Sequence, residues 1–232
     1  RQRQMCIRDR HYNRRLPLCR GSLFLWERCM KKAMILLAGY PATGKTFLCS
    51  RILKRHSEFI VVSQDEMKEK LWDRFGFENI EEKTRLEDQS WELYYETLEE
   101  LMSGEHSVIS DYPFSEKQKG RLESLSLTYG YQVLTIRLTG DIDVLYERSK
   151  SRDLEPSRHL AHLVTRYHEG DVLEDRTKAD ALVTYEIFKD RCLNKGYDRF
   201  QLGSLIELDV TDYEKVDYEA VLDRVDEIID RD

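Results

Sequence analysis

Apolar residues along this chain fall in short unbroken runs that alternate with longer segments of helical period. Ala33-Met34-Ile35-Leu36-Leu37-Ala38 is uninterrupted and ends at a glycine, the pattern of a strand buried on both faces of a parallel sheet. Residues 45–55 come next, with Leu48 and Ile52 four apart, and predict a helix. The alternation then repeats, with strands expected at 59–62, 107–110 and 131–138 and helices at 65–75, 81–102 and 115–127. A further helix is expected to begin near Asp141. Ile206, Leu208 and Val210 alternate with Glu207 and Asp209 as an edge-like fifth strand, and a last helix covers 218–229. In the 81–102 helix, Trp91, Tyr94, Leu98 and Leu101 share one face, an apolar stripe expected to pack in the core. Strands alternating with helices at this spacing imply βαβ crossovers, hence an α/β fold with a mostly parallel sheet covered on both faces.

The turn between the first strand and the first helix carries the chemistry. Gly39-Tyr40-Pro41-Ala42-Thr43-Gly44-Lys45-Thr46 is a complete G-x-x-x-x-G-K-[ST] in the strand-loop-helix setting that motif requires. Its glycines let backbone N–H groups turn inward onto phosphate oxygens, and the helix start adds its positive end. Lys45 is expected to reach the β and γ oxygens, and the Thr46 hydroxyl to ligate Mg²⁺. ATP with Mg²⁺ is therefore the expected ligand, the alternative being a loop that keeps the shape without the nucleotide.

Candidate catalytic groups cluster just past strand ends, where ligands sit in doubly wound sheets. Asp65 lies just past the second strand and is the general-base candidate, able to accept the proton of an acceptor hydroxyl. Its bland alternative is helix capping, by Ser63 or by Asp65 itself. Asp111 ends the third strand in the apolar-run-then-Asp form of a Walker B carboxylate, a direct or indirect Mg²⁺ partner. Arg148 and Arg152, four apart on one helix face, are expected to project towards the next segment of the chain. Arg152 then marks the start of a lid, at about 153–178, whose positive charges would stabilise the transferring phosphoryl group. The alternative for the pair is solvated ion pairing with Glu147 or Asp153. His159, His162 and His168 lack a completing ligand set for a metal and are expected at the surface or against substrate. Asn194-Lys195-Gly196-Tyr197-Asp198 places its aspartate one residue late for guanine reading. Asp73-Arg74-Phe75-Gly76 lacks a preceding strand, so ATP is favoured over GTP.

Charge narrows the partners. Residues 1–29 carry eight Arg against Asp9 and Glu27, a surplus of six positive charges, which leaves the rest of the chain at −13 against a whole-chain net of −7. A body that acidic repels nucleic-acid phosphates, so a small-molecule acceptor is expected over a polynucleotide. The first 29 residues show no amphipathic period and differ sharply in charge from residues 30–232, and they resemble translated adapter read-through. They are expected to be foreign to the fold, with the native start at Met30 or Met34 and ATP affinity unchanged by their removal; the alternative is a basic arm for nucleic acid or membrane. The five cysteines form no C-x-x-C pair, which fits a reducing cytoplasm and neither a zinc ribbon nor a disulfide framework. No apolar run approaches the roughly 20 residues that span a bilayer.

Together these motifs resemble the group of small P-loop kinases that includes the zeta toxins and polynucleotide kinases, over about residues 33–230. The carrying residues are the phosphate loop, Ser63-Gln64-Asp65-Glu66-Met67-Lys68, where that group places a catalytic Asp followed by a basic side chain, and Asp111-Tyr112-Pro113-Phe114. Lys68 stands where many members have Arg, as a substrate contact, and Arg158-His159 is similar to lid residues of some members. The resemblance implies a P-loop NTPase three-layer sandwich, a five-stranded sheet of order 2-3-1-4-5, a helical lid carrying the Arg148 and Arg152 pair, and adenine near the loop after the last strand. It implies transfer of the ATP γ-phosphoryl to a hydroxyl, with acceptors across the group ranging from sugars and antibiotics to nucleic-acid ends. The other readings are a polynucleotide 5′-hydroxyl kinase and an ATP-driven switch without a phosphorylated product.

Overall fold

The computed structural model describes residues 32–229, within the second of two compact units, Lys31–Asp232; the expectations for residues 1–29 fall outside the described residues. The first run forms β1 (Ala33–Gly39), every residue of which is buried. Its side chains alternate between two cores, which is why the run has no polar position. Ile35 and Leu37 pack with Leu48 and Ile52 of α1 (Lys45–Arg55) and with Val225 and Ile228 of α7 (Tyr218–Ile229). Met34, Leu36 and Ala38 face Tyr94 and Leu98 of α3 (Ile80–Ser103) and Leu122 of α4 (Glu116–Tyr129) on the other side.

All pairings in the sheet are parallel. The order is β2-β3-β1-β4-β5, with β2 at Ile60–Val61, β3 at Val108–Asp111, β4 at Gln132–Thr139 and β5 at Ser204–Asp209. The chain therefore folds as a P-loop NTPase, a sheet between two helical layers in the expected order. The second strand is shorter than the expected 59–62. Val62 still pairs to Ile109, but Ser63 then caps α2 (Gln64–Phe75) by accepting from the Glu66 N–H, and the chain turns away from the sheet. In the apolar stripe of α3, Tyr94 and Leu98 are fully buried, with Trp91 and Leu101 packed around them.

After α5 (Ile142–Leu154), residues 155–183 are mostly irregular, with single 3₁₀ turns at Leu160–His162 and Arg176–Lys178. This segment docks on a small satellite core of Trp72, Phe77, Leu86, Ala161 and Tyr167. Phe77 and Tyr167 exchange both backbone hydrogen bonds there, at 2.8 and 2.9 Å. The pattern of apolar positions did not announce α6 (Tyr185–Asn194): only Phe188 and Cys192 are buried, too few to make a stripe.

Candidate active site

The phosphate loop begins where β1 meets β4. Tyr40 N–H donates to Leu138 O at 2.9 Å, and a Cβ at Gly39 would lie 1.9 Å from that same oxygen, so only glycine fits. Ala42 and Gly44 adopt φ of 60° and 79°, bending the loop back over the start of α1. The N-terminus of α1 has no side-chain cap and no acid in its first turn. α2, α3 and α5 are all capped by side chains. Uncapped N–H groups at a helix start form an anion site. Lys45 Nζ lies inside the loop, donating to Tyr40 O at 2.6 Å and Thr43 Oγ1 at 3.3 Å. Burial lowers its pKa to about 8, against the opposing pull of Asp111 and Asp65, so it remains largely a cation at neutral pH.

Thr46 Oγ1 donates to Asp111 Oδ2 at 2.8 Å, joining the first turn of α1 to the end of β3. Asp111 lies in register with Leu37 of β1, so the sheet itself brings the carboxylate to the loop. Burial raises the pKa of Asp111, with the Thr46 hydrogen bond opposing. A hydroxyl and a partly desolvated carboxylate are hard oxygen donors of the kind Mg²⁺ takes, and these two fit that ion.

Asp65 stands one residue into α2. Because Ser63 supplies the cap, the Asp65 carboxylate is left for the cavity, and it meets Lys68 Nζ at 2.6 Å. Burial alone would raise its pKa, but Lys68, His162 and Arg158 together hold it well below the usual carboxylate range. It is therefore ionised throughout the neutral range. Lys68 also stands over the rings of Tyr112, at 5.5 Å, and Trp72, at 5.8 Å.

The arginine pair does not behave as one unit. Both Arg148 and Arg152 border the cavity, but the Arg148 guanidinium does not turn to the segment after α5. Val210 O and Thr211 O accept from it at 2.7 and 2.8 Å, and it lies 3.8 Å from the centre of the Tyr213 ring. Two carbonyls and a ring face in the loop after β5 outcompete solvent for this group. Arg152 pairs with Asp153 at 3.0 Å and reaches Ser149, the ion pair that stood as the bland alternative. Arg158 is the cation from residues 155–183 that extends the cluster. Its Nε is buried without a hydrogen bond, 3.7 Å from Asp153, and burial together with the Arg152 charge lowers its pKa. Tyr213 was not a sequence candidate; its hydroxyl donates to Ala42 O at 3.3 Å, and no motif marks it.

Three histidines fasten residues 155–183 to α2 and the turn after it. His159 meets Asp73 at 2.9 Å, His162 meets Glu69 at 2.7 Å, and His168 meets Glu78 at 2.6 Å. His162 is nearly buried rather than a surface group, packed edge-on against Trp72, and burial pushes its pKa down to about 4 despite the Glu69 bond. Among the described residues no group of His, Cys, Asp and Glu could hold a metal ion by itself. Asp73 is spent inside α2 on His159 and Tyr167, and Asn194 to Asp198 run off the end of α6, as a coincidental match to a guanine motif would. The loop, Thr46, Asp65, Lys68, Asp111 and the three arginines all border one cavity of about 1190 Å³. Among the described residues no helix is long and apolar enough to cross a membrane.

The family model described as AAA domain matches residues 34–169, from β1 to the Tyr167 bridge. Among solved structures, a presumed kinase from Chloroflexus aurantiacus is 23% identical with a TM-score of 0.62, covering 86% of this chain and 96% of that one. Shikimate kinase from Bacteroides thetaiotaomicron is 20% identical with a TM-score of 0.50, covering 86% and 99%. A chain of the Pnkp1/Rnl/Hen1 RNA repair complex is 12% identical with a TM-score of 0.51, covering 75% and 47%. At such identities the likeness is one of fold. No curated protein matches the sequence. The resemblance to small P-loop kinases drawn from the motifs holds at the level of family and fold.

Proposed function

We propose that this chain, which belongs to the AAA domain family, is a kinase that transfers the γ-phosphoryl group of ATP to a hydroxyl of a small-molecule acceptor. The supporting observation is a single cavity that has an uncapped helix start with Lys45 at one side and an ionised carboxylate, Asp65, at the other. An ATP-driven switch has no need of that second group.

In this reading the amides of residues 39–46 and Lys45 hold the triphosphate. Thr46 and Asp111 would hold Mg²⁺, which would supply charge neutralisation for the phosphates. The acceptor oxygen bonds to the γ phosphorus as the bond from that phosphorus to the bridging oxygen breaks, and ADP leaves with the electron pair. The hydroxyl proton passes to Asp65. A carboxylate with a depressed pKa is a weak base, so Asp65 acts chiefly by accepting a hydrogen bond and aligning the nucleophile. Phosphoryl transfer with a loose transition state asks little more of it. Arg152 and Arg158 lie where charge on the transferring group would be balanced, and residues 153–178 serve as the lid that excludes water. Arg148 and Tyr213, beside the loop after β5, take the base side of the nucleotide. The acidic body favours a small acceptor over a polynucleotide.

Incubation of purified protein with Mg²⁺, γ-labelled ATP and a pool of small metabolites tests the reading. A labelled organic product is expected; label found only in free phosphate would replace the kinase with an ATPase.

A further inference from the structure

Beyond Asp65, the cavity wall is built from three helices, and each contributes a cation: Lys68 from α2, Lys83 from α3 and Arg191 from α6. Lys68 is matched by Asp65. The other two have no carboxylate within ion-pairing distance among the described residues. Lys83 Nζ makes one hydrogen bond, to Val164 O at 3.1 Å, and otherwise faces the rings of Trp72 and Phe77 at 5.4 and 5.3 Å. Arg191 is exposed at the same cavity, and none of its side-chain nitrogens is bonded to a described residue. Nearby acids offset only part of this charge. Glu69 is taken by His162, and Asp180 accepts from Thr165. Glu87, one turn along α3 from Lys83, acts on Lys83 with its carboxylate in no ion pair or hydrogen bond among the described residues. Tyr112 and Val183, both partly exposed, give the same cavity an apolar shelf, while Trp72 is fully buried.

We propose that Lys83 and Arg191 form a subsite for an anionic group, carboxylate or phosphate, carried by the hydroxyl acceptor, whose carbon skeleton lies along Tyr112 and Val183. This inference rests on the kinase reading and narrows its substrate class. An anion here would neutralise the partly buried Lys83 and the exposed Arg191, whereas a neutral polyol would leave their charge only partly offset, which is a basis for discrimination. Lys83 already shows the strain of its surroundings: burial lowers its pKa, and Lys68 and Arg191 add to the effect while Glu87 and Asp180 oppose it. The shelf sets the distance between the reacting hydroxyl, at Asp65, and the charged end. The acceptor is thus a small hydroxylated acid or phosphate ester rather than an uncharged sugar.

The test separates a small-metabolite extract on an anion-exchange resin at pH 8 and offers each fraction to the full-length protein with γ-labelled ATP and Mg²⁺. Labelled product from the retained fraction alone is expected. Product from the flow-through, alone or in addition, would overturn the inference while leaving the kinase reading intact. No labelled product from either fraction would overturn both. Treating the retained fraction with phosphatase beforehand abolishes acceptor activity if the anion is a phosphate monoester and spares it if the anion is a carboxylate; both results are compatible with the subsite. With the retained fraction as the probe, Arg191→Gln is expected to raise the amount needed for half-maximal labelling at least tenfold, with a smaller change in maximal rate and no change in ATP affinity. Arg191→Lys should restore part of the loss. Lys83→Gln should act in the same direction, but it also releases Val164, so the exposed Arg191 carries the decision. Unchanged half-saturation in Arg191→Gln rejects the subsite.

Discussion

The Thr46 hydroxyl donates to the Asp111 carboxylate across 2.8 Å, although 65 residues separate them in the chain. The contact exists because β3 lies beside β1 in the sheet, with Asp111 opposite Leu37. If this pair holds Mg²⁺, Asp111→Asn should weaken ATP binding about tenfold or more with magnesium present and leave it unchanged in EDTA. Titration calorimetry under the two conditions distinguishes the role; an equal loss in both would assign Asp111 to loop structure instead.

Lys45→Ala is expected to lower ATP affinity by about two orders of magnitude, because the ammonium is the one side-chain cation within the loop. Circular dichroism should show the fold retained. A variant that binds ATP as the parent does would remove the nucleotide assignment.

Asp65→Ala should bind ATP within about threefold of the parent yet transfer phosphoryl groups at least about a hundredfold more slowly, the scale of a lost acid-base or aligning group. Ser63 still caps α2 in this variant, so the helix survives. Full turnover would reduce Asp65 to a partner of Lys68.

Gly39→Ala tests the loop's shape rather than its charge. The added methyl would sit 1.9 Å from Leu138 O at a residue whose φ is 102°, and both the clash and the strained backbone oppose folding. A loss of at least about 3 kcal/mol is expected from urea unfolding. A stable variant would mean that the junction of β1 and the loop can relax.

His162 makes the docking of residues 155–183 sensitive to acid. Its pKa is about 4 in the fold against an ordinary 6.5, with burial the main cause. Glu69, Asp65, Arg158 and Lys68 are the charged groups facing it. Between these two values the unfolded chain binds the extra proton, so stability falls as pH drops from about 6.5 towards 4, by no more than about 3 kcal/mol. Comparison of urea midpoints at pH 7.5 and 5 should show a smaller drop in His162→Gln than in the parent. Equal drops would place the acid sensitivity elsewhere.

The fold was largely legible in the chain because its strongest signals are local. A short continuous apolar run ending at a glycine reads as a strand buried on two faces, and the loop motif needs the strand before it and the helix after it. Asp65 and Asp111 were found for the same reason, as residues ending or just beyond strands that converge on one edge of the sheet. α6 escaped because it buries only two side chains, and a polar helix leaves no period to read. Arg148 and Arg152 show the limit of spacing arguments. Four residues apart, they do share a helix side, but Arg148 is oriented by carbonyls of the distant loop after β5, whereas Arg152 is held by its own neighbours Ser149 and Asp153.

Sequence by itself determined which segments become strands and helices and where a phosphate loop must lie, since those come from periodicity and from the few residues that tolerate an inward-turned backbone; the order of the strands came from the family resemblance. Tertiary structure alone decided what faces the loop. Asp111 against Thr46, Arg148 against Tyr213, the three histidines against α2, and Lys83 with Arg191 across the acceptor wall are all contacts between distant segments. Their energies depend on burial and distance, which no local pattern encodes.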